Sequence, residues 1–403
     1  MHHETTLIAT LAVGLAFAFV GGYVAARLHL PPLVGYLVAG IAVGPFTPGF
    51  VADAALAPQL AEVGVILLMF GVGMHFSMRD LWAVRGIAIA GAVGQIVVAT
   101  ALGAGLASLW GWPLGAGLVF GLALSVASTV VLLRALEDRG LLETSDGRIA
   151  IGWLVVEDLV MVLVLVLLPA LAGQLGSRTA DGGGHGVPWS ALGVTLGKVI
   201  AFVLLMLVVG TRVFPWLLRH VEGTRSRELF TLAVIGLSVG VAFGSAMVFG
   251  VSLALGAFFA GVVVHESDLS RRAASELQPL QDVFAALFFV AVGMLFDPSV
   301  LVREPWRLLA VVGIILVGKS VVALGIVLAL GHPLRTGLTI SAALAQIGEF
   351  SFILSGLAVA LGLEAAESHS LVVAGAILSI TLNPLVFAAL RVGRRRIDLT
   401  VEG

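Results

Sequence analysis

Apolar residues dominate the 403-residue chain in long blocks, separated by short stretches rich in Arg, Pro and Gly. Most blocks reach the roughly 20 residues needed to cross about 30 Å of hydrocarbon as helix. Marking them predicts thirteen helical segments near 5–27, 32–45, 60–76, 87–110, 114–135, 149–171, 192–216, 229–249, 251–265, 282–296, 307–330, 336–361 and 370–390. The second, ninth and tenth are short. The forty-residue stretch around Phe249-Gly250 is divided because it is too long for one span.

Composition agrees with this pattern. Hydrophobic residues make up 59% of the chain and charged residues 11%, with a mean hydropathy of +1.11, so its solvent is the lipid bilayer. A net charge of −2 supplies no basic field for a nucleic-acid partner. Cysteine is absent, which excludes disulfides and thiolate metal sites. The first block follows Met1-His2-His3-Glu4 rather than a basic stretch, so it reads as a span and not a cleaved leader. Arginines concentrate in loops after odd-numbered segments, for example Arg139, Arg148, Arg225 and Arg271, which predicts an external N-terminus and a cytoplasmic C-terminus.

Residues 58–76 repeat at 278–296 with a constant offset of 220, bringing Glu62 onto Asp282 and Gly73-Met74 onto Gly293-Met294. One segment earlier, Gly35 and Gly40 meet Gly256 and Gly261 at an offset of 221. Two six-segment halves joined by the seventh segment would insert in opposite orientations, the inverted-repeat plan of many secondary transporters. Glu62 and Asp282 read as helix caps near either surface. The glycine-rich run 173–188 reads as a flexible connector, and His185 in it is too isolated to suggest a metal site. His29, His75, His220 and His265 read as interfacial residues at helix ends.

Segment six carries Glu157 and Asp158 about nine residues, or roughly 13 Å, from its cytoplasmic end. A charge at that depth costs about 2.5–3.5 kcal/mol, and neighbouring helical residues point about 100° apart, so the two acids need different partners. Lys319, one of only two lysines, lies mid-segment in the eleventh block and is the evident counter-ion. Ser128 and Thr129 in segment five fall opposite Gly348 and Glu349 in segment twelve at the repeat offset, with Gln346 close by. Small and polar residues at matching depths suggest broken helices around a transport site. A structural ion pair, or hydroxyls bonded back to their own helices, would be the plainer explanation of the same residues.

The stretches LPPLVGYLVAGIAVGP (30–45), AEVGVILLMFGVGMHF (61–76), SVASTVVLLRALEDRG (125–140), ALGAFFAGVVV (254–264), ALFFVAVGMLFD (286–297) and QIGEFSFIL (346–354) resemble the Kef-type branch of the cation:proton antiporter superfamily, and within it the YbaL-like group. The resemblance implies the sodium/proton antiporter-like fold: an all-α polytopic membrane protein with scaffold helices at about 5–76 and 229–296. Transport helices would lie at about 87–171 and 307–390, with a linker helix at about 192–216. It implies a homodimer in a bacterial inner membrane that exchanges a monovalent cation, potassium or sodium, for protons and needs no resident cofactor. Asp158 matches the residue that binds cation and proton in turn, aided by Ser128 and Thr129. Glu157 takes a position that is Asp or Gln in relatives, beside the matching Lys319, so selectivity and stoichiometry stay open. Potassium-efflux members often add a cytosolic nucleotide-binding domain; no GxGxxG stretch occurs in this chain, so a nucleotide would enter only through a regulatory domain or subunit beyond residue 403. Rival readings are a gated potassium channel, whose flux would not couple to a pH gradient, and an intramembrane aspartyl protease. The protease needs acids on separate helices in a GxGD context, which is missing, so no enzyme is expected.

Overall fold

The computed structural model describes residues 6–47, 56–74, 78–142, 144–176 and 189–401. His75, Phe76, and the part of the predicted connector at 177–188, with His185, lie outside them. All regular secondary structure among the described residues is helical, without a strand. The first half contains α1 (Thr6–Arg27), α2 (Pro32–Val43), α3 (Leu56–Met74), α4 (Met78–Leu109), α5 (Leu114–Ser125), α6 (Thr129–Glu137) and α7 (Ser145–Leu171). Next come α8 (Trp189–Leu205), α9 (Thr211–Gly223), α10 (Arg227–Phe249), α11 (Leu253–His265) and α12 (Ser270–Met294). The chain finishes with α13 (Val300–Arg303), α14 (Pro305–Gly313), α15 (Lys319–Ala329), α16 (Leu334–Leu344), α17 (Glu349–Ala360) and α18 (Ala366–Val401). Single π-helical turns at Met206–Gly210 and Ile314–Gly318 join α8 to α9 and α14 to α15.

Among the described residues nine helical stretches are long and apolar enough to cross a membrane, and the bent pair α16–α17 would make a tenth. Shorter apolar helices at Pro32–Val43, Gln59–Met74 and Leu253–His265 occupy the predicted second, third and ninth segments. Several helices begin well before their apolar blocks. α7 starts at Ser145, where the Thr144 hydroxyl accepts the Gly147 N–H at 3.1 Å, and α12 starts at Ser270. Hydropathy marks the lipid-buried part of a helix, whereas its end is set by capping, so polar first turns escape the pattern. For the same reason Glu62 and Asp282 are corrected: both are exposed residues inside helices, not caps.

The chain divides into two compact units. The first takes its described residues from Met1–Ser77, Leu165–Ala170 and Gly184–Leu295, the second from Met78–Val164, Leu171–Gly183 and Phe296–Gly403.

Within the first unit, helices cross at glycine. A Cβ placed on Gly40 of α2 would come within 2.9 Å of Gly293 Cα in α12, and one on Gly261 of α11 within 3.0 Å of Gly73 Cα in α3. The reverse placements give 3.0 Å from Gly293 to Gly40 and 3.1 Å from Gly73 to Gly261. At the repeat offsets Gly40 corresponds to Gly261 and Gly293 to Gly73, so the two crossings match contact for contact. Gly40→Ala must therefore push two backbones apart and is expected to destabilise by about 1–3 kcal/mol, the ordinary range for overpacking. Gly105→Ala, on an exposed α4 position where a Cβ meets nothing within 4 Å, should be neutral or stabilising. Thermal unfolding of the purified variants in detergent tests the contrast, and equal midpoints would refute it.

In the second unit, α4, α6, α7, α15 and α16 pack around Trp153, Leu132, Leu154, Ile340 and Leu344. This apolar packing surrounds a polar centre built at two helix breaks.

Candidate functional site

Two of the predicted segments are interrupted within the second unit. Segment five stops as helix at Ser125 and restarts at Thr129; segment twelve stops at Leu344 and restarts at Glu349, with a 46° bend. Each break strips backbone N–H and C=O groups of their intrahelical partners, and burial makes unpaired ones costly. The side chains of the site answer that need.

Gln346 spans the two breaks. Ser128 N–H donates to its Oε1 at 2.8 Å, and its Nε2 donates to the Ser128 carbonyl at 3.2 Å, so one side-chain amide pairs with one residue of the opposite backbone in both directions. Gly348 lies directly against Ser128, where a Cβ would come within 2.6 Å of Ser128 Cα. The Ser128 hydroxyl caps α6 by accepting the Val131 N–H at 3.4 Å and donates to Glu349 Oε2 at 2.9 Å.

The charges arrange themselves around the broken ends. Glu157 accepts three hydrogen bonds: Gln95 Nε2 at 2.6 Å, Trp153 Nε1 at 3.1 Å and the Ala127 N–H at 3.1 Å. Lys319 Nζ donates to the Gln346 carbonyl at 2.9 Å. No ion pair within 4.0 Å joins Glu157 and Lys319 among the described residues, so Lys319 faces Glu157 as a counter-ion without touching it. The physical reason is the pair of breaks. Ala127 leads into the N-terminus of α6, where free N–H groups attract an anion; Gln346 follows the C-terminus of α16, where free carbonyls attract a cation. Each charged side chain completes a broken backbone, and the two act on one another only through space.

Asp158 is treated differently from its neighbour. Its Oδ2 accepts from Thr129 Oγ1 at 3.0 Å, while Oδ1 has no hydrogen-bond partner among the described residues although the residue is 2% exposed. Glu349, 1% exposed, likewise has Oε2 engaged and Oε1 without a hydrogen-bond partner among the described residues. Two carboxylates with an unpartnered oxygen each, Asp158 midway along α7 and Glu349 at the start of α17, thus accompany the Ser128 and Thr129 hydroxyls at the start of α6. Oxygen donors of this kind suit a small hard cation or a proton.

All eight residues singled out from the sequence fall in the second unit, joined by these contacts. Gln95 and Trp153 are absent from that set. Trp153 lies one helical turn before Glu157, a spacing that puts them on the same face, and Gln95 is an isolated amide in the apolar run GAVGQIVVAT; each is a readable signal. Asn383 is absent too: its side-chain amide donates to the Ala342 carbonyl at 2.8 Å, close to the break after α16.

The profile of the sodium/hydrogen exchanger family, transmembrane, matches residues 15–392. The chain belongs to the sodium/hydrogen exchanger family. Its members are transporters rather than enzymes. The resemblance read from the motifs is borne out by relatives. The chain is 59% identical over 390 residues to the provisionally named cation/proton antiporter YbaL of Escherichia coli (strain K12), across 97% of this chain and 69% of that protein. It is 34% identical over 386 residues to K(+) efflux antiporter 4 of Arabidopsis thaliana, across 95% of this chain and 64% of that one. The chain thus spans 69% and 64% of the lengths of these two relatives. Its fold is that of the sodium proton antiporter MjNhaP1 from Methanocaldococcus jannaschii, with a TM-score of 0.72 over 97% of this chain and 99% of that one at 14% identity.

Proposed function

We propose that this exchanger moves a monovalent cation, potassium, in exchange for protons, and that Asp158 holds each in turn. The observation that carries the reading is the unpartnered Oδ1 of a buried aspartate whose other oxygen is held by Thr129. A dehydrated cation and a proton cannot occupy that carboxylate together, so exclusive occupancy couples their movements. Ser128 and Thr129 supply hydroxyl oxygens, and Gln346 and Gly348 hold the breaks at which the half-helix ends meet the ion. Glu157 and Lys319 keep the broken backbones paired and in register. The glycine crossings that match at the repeat offsets support inverted halves, and through them alternating access by movement of the transport helices. The choice of potassium follows the activity for which the Arabidopsis thaliana K(+) efflux antiporters are named; the family's name and MjNhaP1 favour sodium instead. The protein would work as a homodimer with its N-terminus outside the cell and its C-terminus in the cytoplasm.

Proton flux in proteoliposomes under potassium, sodium and lithium gradients tests the reading. Potassium-driven flux that changes little when the membrane potential is clamped fits electroneutral potassium/proton exchange. Sodium-only flux would replace the ion, and cation flux without proton movement would reject antiport.

A further inference from the structure

A second buried polar cluster lies in the same unit, at the opposite end of α17 from Glu349. α17 closes in a left-handed glycine turn: Gly362 has φ +67°, its N–H donates to the Val359 carbonyl at 3.0 Å, and the Leu363 N–H donates to the Ala358 carbonyl at 2.9 Å. The turn leads directly into Glu364, whose Oε2 accepts from Ser355 Oγ of α17 at 3.4 Å and from Ser368 Oγ of α18 at 2.6 Å. His369 Nδ1 lies 3.3 Å from the same Ser355 hydroxyl. Glu364 is 8% exposed and His369 6%, yet Glu364 Oε1 and His369 Nε2 have no hydrogen-bond partner among the described residues.

A helix cap needs neither a carboxylate nor an imidazole, and unpaired buried polar atoms are expensive, so the arrangement calls for a ligand. Among the described residues no neighbouring charge supplies one. The described charged side chains on the elements around α17 and α18 are Asp297 before α13, Arg303 on α13, Glu304 between α13 and α14, Arg307 on α14, Arg335 on α16, and Glu349 and Glu367. Arg307 pairs with Glu304 and Glu367, Asp297 accepts the Ser299 N–H, and Glu349 is bonded to Ser128. None of these groups bonds Glu364 Oε1 or His369 Nε2. The smallest ligand that satisfies a carboxylate and an imidazole together is a proton.

We propose that Glu364 and His369, enclosed by Ser355 and Ser368, form a proton-binding site separate from Asp158, and that its occupancy sets the pH range of exchange through α17. Ser355 lies partway along that helix and Glu349 begins it, so a change in the hydrogen bonds at Ser355 acts on an element of the ion site. Burial pushes the Glu364 carboxyl up to about 7, with the serine hydroxyls opposing the rise, which puts its titration in the working range of pH. The sign follows from that direction. A carboxyl whose folded value lies above its unfolded one stabilises the fold in its neutral form; that contribution is complete below the ordinary value of 4.5 and is lost as pH rises to about 7.

Thermal unfolding in detergent, read as the wild-type midpoint minus that of Glu364→Gln, cancels the titrating groups that do not interact with Glu364. This difference should fall between about pH 5 and about pH 7 and level off above. In proteoliposomes Glu364→Gln should keep its maximal exchange rate within about threefold while the midpoint of its pH profile moves by about one unit. A difference that does not change with pH would overturn the proton site; a difference that falls as expected beside an unchanged exchange profile would overturn its control of exchange. If Glu364→Gln does not fold, Ser368→Ala takes its place. It removes the 2.6 Å donor to the ionised carboxylate, so its unfolding midpoint must drop relative to the wild type as pH rises through about 7, and a gap independent of pH refutes the site. The exchange arm rests on the antiport reading and the unfolding arm does not. A wild type without coupled flux would fail that reading while leaving the proton site to be judged by its unfolding.

Discussion

Asp158→Asn is expected to abolish coupled exchange in proteoliposomes while leaving the protein folded. The substitution keeps the shape of the side chain and an oxygen for the Thr129 hydroxyl, so packing is preserved. What it removes is the charge. A monovalent cation about 4 Å from a carboxylate at an effective dielectric near 20 is held by about 4 kcal/mol, which corresponds to about a thousandfold in affinity. The amide also takes up no proton at working pH, so both substrates lose their site. Binding of the cation by calorimetry should vanish together with flux. Exchange retained within about tenfold of the wild type would mean that another carboxylate carries the ion, and Glu349 with its unpartnered Oε1 would be the next residue to replace.

Gln346→Ala is expected to produce the largest loss of stability at the site. Its amide is the partner of both the N–H and a carbonyl contact of Ser128, in a region with no exposure to water. Removing it strands the buried Ser128 N–H at about 1–3 kcal/mol, takes one of two donors from the Ser128 carbonyl, which keeps the Leu132 N–H at 3.0 Å, and leaves a cavity between the breaks. Gln346→Glu is the informative companion. It retains an acceptor for the Ser128 N–H but loses the donor to the carbonyl, so it should lose part of the stability and gain a charge beside Lys319. Unfolding midpoints of the two variants against the wild type decide the matter. A Gln346→Ala protein as stable as the wild type would show that the crossing is held by packing at Gly348 and not by the amide.

Much of this architecture is legible in the order of the residues alone. The apolar blocks locate the helices because a bilayer demands long uninterrupted hydrophobic stretches, a requirement satisfied locally in the chain. Glu157, Asp158 and Lys319 stand out because a charge in such a block is too costly to lack a role. The polar pairs Ser128-Thr129 and Gly348-Glu349 stand out because the repeat offset puts them in register. The motifs carry the family, to which the match over residues 15–392 assigns the chain.

The partners are a different matter. Opposite charge alone would join Glu157 to Lys319, but the structure gives Glu157 to Gln95, Trp153 and a backbone N–H, and Lys319 to a backbone carbonyl. Charge type is written in the residue, whereas the demand it meets here comes from peptide groups exposed by a helix break, and those carry no mark in the sequence. Gln346 and Ser128 meet across 218 positions, and Glu349 and Ser128 across 221; the repeat offset aligns the two breaks but does not say which atoms bond across them. Glu364 and His369 escape a reading of the chain because they lie beyond the apolar block in what looks like a polar turn; only the glycine turn after α17 and the packing of α18 bury them. Which segments enter the membrane, and which chemical groups go with them, is set along the chain, because transfer to lipid depends on local composition. Which carboxylates are saturated and which keep an unpartnered oxygen is settled by the folded arrangement, because hydrogen-bond partners are chosen in space.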